Sequence, residues 1–138
     1  MTESSLASTR LVRVMYGALL AGPLVIVAAL WYALGNRLVI PALTGPVGYL
    51  LCALCAGGFA FGVLWRSRIP ARAPGESPDA FWRANLPRAF ALYALLEGVA
   101  VLGAIITVLG GRPCTALAVT LVYLGIMLTF SPGRLAGE

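Results

Sequence analysis

The sequence predicts an all-α integral membrane protein: a single four-helix membrane domain over residues 1–138, N-in and C-in, built as two antiparallel hairpins with short outer loops. Three observations predict it. The chain is 60% hydrophobic and 11% charged, with a mean hydropathy of +0.91; soluble domains average roughly 45–50% apolar and roughly 25% charged. It contains four apolar runs long enough to cross a hydrocarbon core of about 30 Å at about 1.5 Å per residue. Its ten basic residues, all arginine, fall into two unequal groups in the segments between those runs: eight on one side and two on the other.

The first helix is read over 12–34. Arg10 and Arg13 stand at its start, and Trp31 and Tyr32 close it in the outer aromatic belt. Its apolar run exceeds the roughly 7–15 residues of a signal-peptide core and no A-x-A site closes it, so the expectation is a retained anchor. Gly17, Ala21 and Gly22 form a small-residue stripe ahead of Pro23, which is expected to bend the helix. An outer turn marked by Gly35, Asn36, Pro41 and Gly45 leads to the second helix, 46–65. There Gly48, Cys52, Cys55, Gly58 and Gly62 recur every three or four residues, a face that lets another backbone come close.

The loop over 66–88 carries Arg66, Arg68, Arg72, Arg83 and Arg88, flanked by Trp65 and containing Trp82. Its four prolines are expected to prevent one continuous helix. Ser77-Pro78-Asp79 has the order N-cap, first helical residue, early acid, so a short interfacial helix is expected near 78–86, with Phe81 and Trp82 in the headgroup layer. The third helix is read over 89–109. Gly110-Gly111-Arg112-Pro113 is a tight outer turn, and the fourth helix, the shortest, covers 114–130 before Arg134. Short outer turns make helices one and two, and three and four, antiparallel neighbours. Arg37 and Arg112 are the two outer arginines. The asymmetry places the termini and the central loop in the cytoplasm and the chain in a cell membrane as a multi-pass protein.

Composition removes several classes of function. Zero histidine eliminates His-ligated haem and most zinc catalysis. Three cysteines make no disulfide framework, and Cys52-x-x-Cys55 without a second pair lacks the ligands for zinc or an iron–sulfur cluster. There is no G-x-S-x-G and no phosphate-cradling glycine loop. No segment outside the membrane is large enough to fold a basic nucleic-acid surface. Neither catalytic residues, nor metal, nor cofactor is expected; the partners are lipids and other membrane subunits or copies of the chain itself.

One residue stands apart. Glu97 lies in "FALYALLEGVAVLGAI", nine residues past Arg88 and so about 13 Å into the membrane. An ionised carboxylate facing lipid there costs at least about 2.5–3.5 kcal/mol. The carboxyl is therefore expected to be neutral, paired or turned toward protein. No basic residue of the chain lies at that depth, which makes a protonated acid the expectation. Ala94, Ala100 and Ala104 surround it on its own helix, Tyr93 is the nearest local hydroxyl, and the second helix, with Cys55 at the same depth, offers the matching surface. Hydroxyls elsewhere in the spans are few, Thr115, Thr120, Tyr123 and Thr129 of the fourth helix among them, sparse for an ion path.

The segment "GYLLCALCAGGFAFGVLWRSRIPAR", followed by "RAFALYALLEGVAVLGAIITVLGG", resembles the proteolipid (c-subunit) hairpin of rotary ATPases: a glycine-rich helix, an Arg/Pro loop, then a helix with one mid-membrane carboxylate. The resemblance covers about a third of the chain. It implies Glu97 as a proton or ion carboxylate and Gly57, Gly58 and Gly62 as close-packing positions. Small multidrug-resistance transporters are similar in size, helix number and their single membrane Glu, which in that family lies in the first helix. Two functions are thus expected: an accessory subunit packing against a larger membrane complex, or a proton- or cation-linked protein using Glu97.

Overall fold

The computed structural model describes residues 3–33 and 39–137. The described residues are helical, without strands: α1 (Glu3–Ala33), the short α2 (Pro41–Thr44), α3 (Pro46–Trp65), a 3-10 turn at Arg66–Arg68, α4 (Pro78–Leu109), α5 (Pro113–Thr129) and the short α6 (Pro132–Ala136). Four stretches are long and apolar enough to span a membrane: Thr9–Ala33, Pro46–Arg68, Pro78–Leu109 and Cys114–Ala136. They correspond to the four expected helices. Arg37 and Asn36 lie outside the described residues.

The third span differs most from expectation. The short helix near 78–86 and the span over 89–109 are one helix of 32 residues, with Ser77 as its N-cap, accepting from the Ala80 N–H at 3.2 Å, and Pro87 inside it. Proline there withholds only one N–H, from the carbonyl of Arg83 four residues earlier, and helices at membrane depth tolerate that where local groups can satisfy the freed carbonyl. The central loop is broken instead between 69 and 77, where Pro70, Pro74 and Gly75, at φ +84°, prevent helix.

α4 is the hub. α1 runs parallel to it, pairing Thr9 with Asp79, Tyr16 with Tyr93 and Gly22 with Glu97 from end to end. α3 runs antiparallel, with Gly62 on Leu92 and Leu96, Gly58 on Val99 and Cys55 on Gly103. α5 is also antiparallel, with Val119 on Gly103 and Phe130 reached from Tyr93. Among the described residues, α1 packs on α4 and α5 and makes at most a marginal contact with α3. This corrects the expectation that the first two helices are neighbours. A covalent connection does not dictate which helix face packs where, and α4 offers α1 the larger contact.

Phe81 and Trp82 are each 1% exposed and lie in the core with Val12, Ile69, Leu92 and Leu135. They are not in the headgroup layer as the sequence suggested. The continuous α4 carries them inward, and the loop, α1 and α6 close over them. At the opposite ends of the helices Trp31 and Tyr32 are exposed, at 50% and 95%. Trp65 is half-buried at the arginine-rich end, with the Arg68 guanidinium 5.9 Å from its ring centroid. Arg112, at the other end, donates to the Thr44 carbonyl at 2.9 Å and sits 4.3 Å over the Tyr49 ring. The hydrogen bond ties the second outer turn to the first, and the cation–π contact ties it to the first turns of α3.

Candidate functional site: a carboxyl at the α1–α4 seam

The site is built where Pro23 interrupts α1. A proline cannot donate to the carbonyl four residues earlier, so the Leu19 oxygen loses its helical partner. Tyr123 of α5 supplies the replacement, donating its hydroxyl to the Leu19 carbonyl at 2.7 Å. Pro23 itself is buried. One turn is thus opened in α1 and closed again from a neighbouring helix, the general way in which proline is accommodated at membrane depth.

Glu97 reaches the same turn from α4. Its Oε1 lies against Gly22, so close that a β-carbon at position 22 would overlap it. The side chain is half-buried, and among the described residues it makes no hydrogen bond or ion pair. Glu97 on Gly22 and Tyr123 on the Leu19 carbonyl therefore engage the same stretch of α1 from two neighbouring helices.

The partner surface expected for Glu97 was the α3 stripe, and the structure corrects it. Cys55, Gly58 and Gly62 do face α4, but they meet Gly103, Val99 and Leu96, on a different side of that helix from Glu97. Gly48 meets the Leu43 carbonyl inside the α2–α3 corner. Cys52 and Cys55 line an apolar cleft of about 250 Å³ between α3, α4 and α5, shared with Phe59, Thr107 and Val119. Of the α1 stripe only Gly22 reaches α4 closely; Gly17 has nothing near its open face and Ala21 is exposed, as is Gly57 on α3. On α4, Ala100 and Ala104 are fully buried and Ala94 is half-buried.

Tyr93 does not serve Glu97. It is 1% exposed, donates to the Phe130 carbonyl at 2.8 Å and meets the Tyr16 ring edge-on at 5.4 Å. Tyr16 donates to the Met127 carbonyl at 2.8 Å. Three tyrosines on three helices thus fasten α1, α4 and α5 through backbone carbonyls. Thr107, Thr120 and Thr129 spend their hydroxyls within their own helices: Thr107 on Gly103 and Ala104, Thr120 on Ala116, Thr129 on Ile126. None of these bonds extends a chain of polar groups toward Glu97. Among the described residues no group of three or more His, Cys, Asp or Glu is placed to hold a metal ion.

No family model, curated protein or solved structure matches the chain. Its chemistry is read from its own residues.

Sequence reasoning named Gly22 as a packing residue but did not pair it with Glu97, and it read Tyr123 only as a scattered hydroxyl. A signal existed: Ala-Leu-Leu-x-Gly occurs twice, at 18–22 in α1 and 94–98 in α4, and the two helices pack in parallel with those segments at one level. The proline gives a quantitative expectation. Tyr123→Phe should cost about 0.6 kcal/mol, the average for side-chain hydrogen bonds between membrane helices, and at most about 1.7 kcal/mol. In a Pro23→Ala background, which restores an N–H for the Leu19 carbonyl, the same change should cost less. A double-mutant cycle by equilibrium unfolding in mixed micelles checks it, and equal costs in the two backgrounds would mean that Tyr123 does not compensate for the proline.

Proposed function

We propose that this chain is a small accessory membrane protein that packs against larger membrane subunits or copies of itself, with Glu97 serving as a packing and hydrogen-bonding group. The observation that carries this reading is the seat of the carboxyl. One of its oxygens rests on a glycine of the same chain, where a protonated acid can donate to backbone at the proline-containing turn of α1. The surrounding hydroxyls support it, since each is committed to a carbonyl and none continues a route from Glu97 toward either end of the bundle.

The second reading, a proton- or cation-linked protein with Glu97 as the titrating group, is favoured by one observation. A carboxyl and a phenol approach neighbouring positions of α1, Gly22 and the Leu19 carbonyl freed by proline, and ionisable residues inside a membrane are functional by default. Glu97→Gln separates the two. The amide keeps the shape and can donate a hydrogen bond but cannot release a proton. The variant should match the parent in thermal stability and assembly size. In vesicles loaded with a pH-sensitive dye, parent and variant should show the same slow proton leak. A flux in the parent that vanishes in a correctly assembled Glu97→Gln protein would establish the second reading.

The proposed orientation, termini and central loop in the cytoplasm, follows from the arginines. The described helices bring Arg10, Arg13, Arg66, Arg68, Arg72, Arg83, Arg88 and Arg134 to one end of the bundle and Arg112 to the other. A membrane-impermeant thiol reagent applied to intact cells should modify the exposed Cys114 and miss a cysteine placed at the exposed Ala80. Modification at 80 without modification at 114 would invert the topology.

A further inference from the structure

On the flank where α3 ends against α4, antiparallel packing brings two arginines from different segments to one hollow. Arg68 closes the 3-10 turn after α3, Arg88 stands on α4, and with Trp65 they line a concavity of about 210 Å³. The register is fixed further along the seam, where Gly62 lies on Leu92 and Leu96. Each wall is also held locally. The Arg68 guanidinium lies 5.9 Å from the Trp65 ring centroid, and Arg88 reaches from Nη1 to Asn85 Oδ1 at a long 3.5 Å. Asn85 is itself buried and donates to the Phe81 carbonyl at 3.0 Å.

Neither Arg68 nor Arg88 makes an ion pair among the described residues. The acids of this end, Glu76 and Asp79, stand at the start of α4, whereas Arg88 comes ten residues after Pro78, about 15 Å along the axis. Charge at that distance is largely screened, since the screening length in physiological salt is about 8 Å. The third wall lacks a partner too. The Trp65 indole N–H is shut off from solvent and has no acceptor among the described residues, although a buried indole N–H usually finds one and costs stability without it. Two guanidiniums and an unpaired N–H call for an anion rich in acceptors, and phosphate is gripped by guanidinium through paired donors. Tryptophan gathers at the membrane–water boundary, which sets the hollow at the depth of lipid headgroups. A lipid fits it better than a free phosphate, because one turn deeper on α3 Phe61 is 51% exposed, its ring centroid 5.5 Å from that of Trp65. That apolar flank continues the hollow into the hydrocarbon, where an acyl chain lies.

We propose that the Trp65–Arg68–Arg88 hollow binds the phosphate of one anionic phospholipid, held between the two guanidiniums while the indole N–H donates to a headgroup oxygen. The full-length protein, purified in mild detergent, would be titrated with phosphatidylglycerol, with phosphatidylcholine and with inorganic phosphate, and its bound species counted by native mass spectrometry. One phosphatidylglycerol should bind ahead of phosphatidylcholine, and about fivefold more weakly in each of Arg68→Gln and Arg88→Gln. Trp65→Phe, which keeps an aromatic ring but removes the N–H, should weaken binding about threefold. Arg83→Gln, exposed on α4 and outside the hollow, should bind as the parent does. Thermal unfolding without lipid shows that each variant is folded. Equal binding of the two lipids, a loss in Arg83→Gln as large as in the hollow's own arginines, or unchanged binding in Trp65→Phe would overturn the proposal. Displacement of the lipid by inorganic phosphate at matching concentration would overturn the lipid assignment and give the hollow to a free phosphate.

Discussion

Gly22→Leu should separate α1 from α4 and destabilise the protein by about 3 kcal/mol, the upper end of the usual cost of overpacking. Position 22 has no room: its first added carbon would overlap the Glu97 carboxyl oxygen. A larger side chain must push the acid aside or lift the helix. Either outcome sends a carboxyl toward lipid, where the protonated form loses its polar neighbours. Gly17→Leu is the control, because the same helix gains the same side chain at a position with nothing within contact range. There the better helix propensity of leucine, worth up to about 1 kcal/mol over glycine, should leave stability unchanged or slightly raised. Equilibrium unfolding in mixed micelles measures both. Shortening the acid should rescue part of the loss, so Gly22→Ala combined with Glu97→Asp is expected to be more stable than the two separate costs predict. If Gly22→Leu is tolerated as well as Gly17→Leu, Glu97 does not rest on α1, and the proposed packing role falls with that contact.

Gly62→Leu and Gly58→Leu should loosen α3 from the hub by about 2–3 kcal/mol each. A β-carbon at 62 would come within 2.6 Å of a Leu96 methyl, and one at 58 within 2.6 Å of a Val99 methyl. Branched side chains in a packed interface cannot yield that distance without displacing a helix. Gly57→Leu, next door on the exposed face, meets nothing and should be neutral. The contrast between adjacent glycines makes the test sharp, because helix propensity and added hydrophobicity are the same for 57 and 58. Equal tolerance at 57, 58 and 62 would remove these glycines from the seam. The same contrast refines the c-subunit resemblance: two of its three close-packing glycines face α4, and Gly57 does not.

How much of the site was legible in the sequence varies by residue. Glu97 announced itself, since one carboxylate among hydrocarbon side chains has no inconspicuous explanation. Its partner did not. The α3 stripe is the more regular series of small residues, and reasoning from regularity paired it with Glu97; in the fold that stripe lies on leucine, valine and glycine while Gly22 receives the acid. Tyr123 read as one of a few scattered hydroxyls, and only the carbonyl orphaned by Pro23 gives it a task. Phe81 and Trp82 read as headgroup anchors because the segment around them is charged; their burial follows from loop and tail folding over them.

Sequence alone determined the number of spanning helices, the concentration of arginine at one end and the N-cap at Ser77. Each depends on local quantities: run length against bilayer thickness, charge between runs, and the bond from one side chain to a backbone N–H three residues on. Tertiary structure decided which face of each helix turns inward, which helices are neighbours, and therefore what Glu97 touches. The reason is physical. In a soluble protein the buried side of a helix is written as an apolar stripe, but helices surrounded by lipid are apolar all round, and the periodicity that would mark the inner face is erased. What selects the interface instead is shape: a glycine opposite a carboxyl, a tyrosine opposite an unpartnered carbonyl. Such complementarity exists only between helices already placed together.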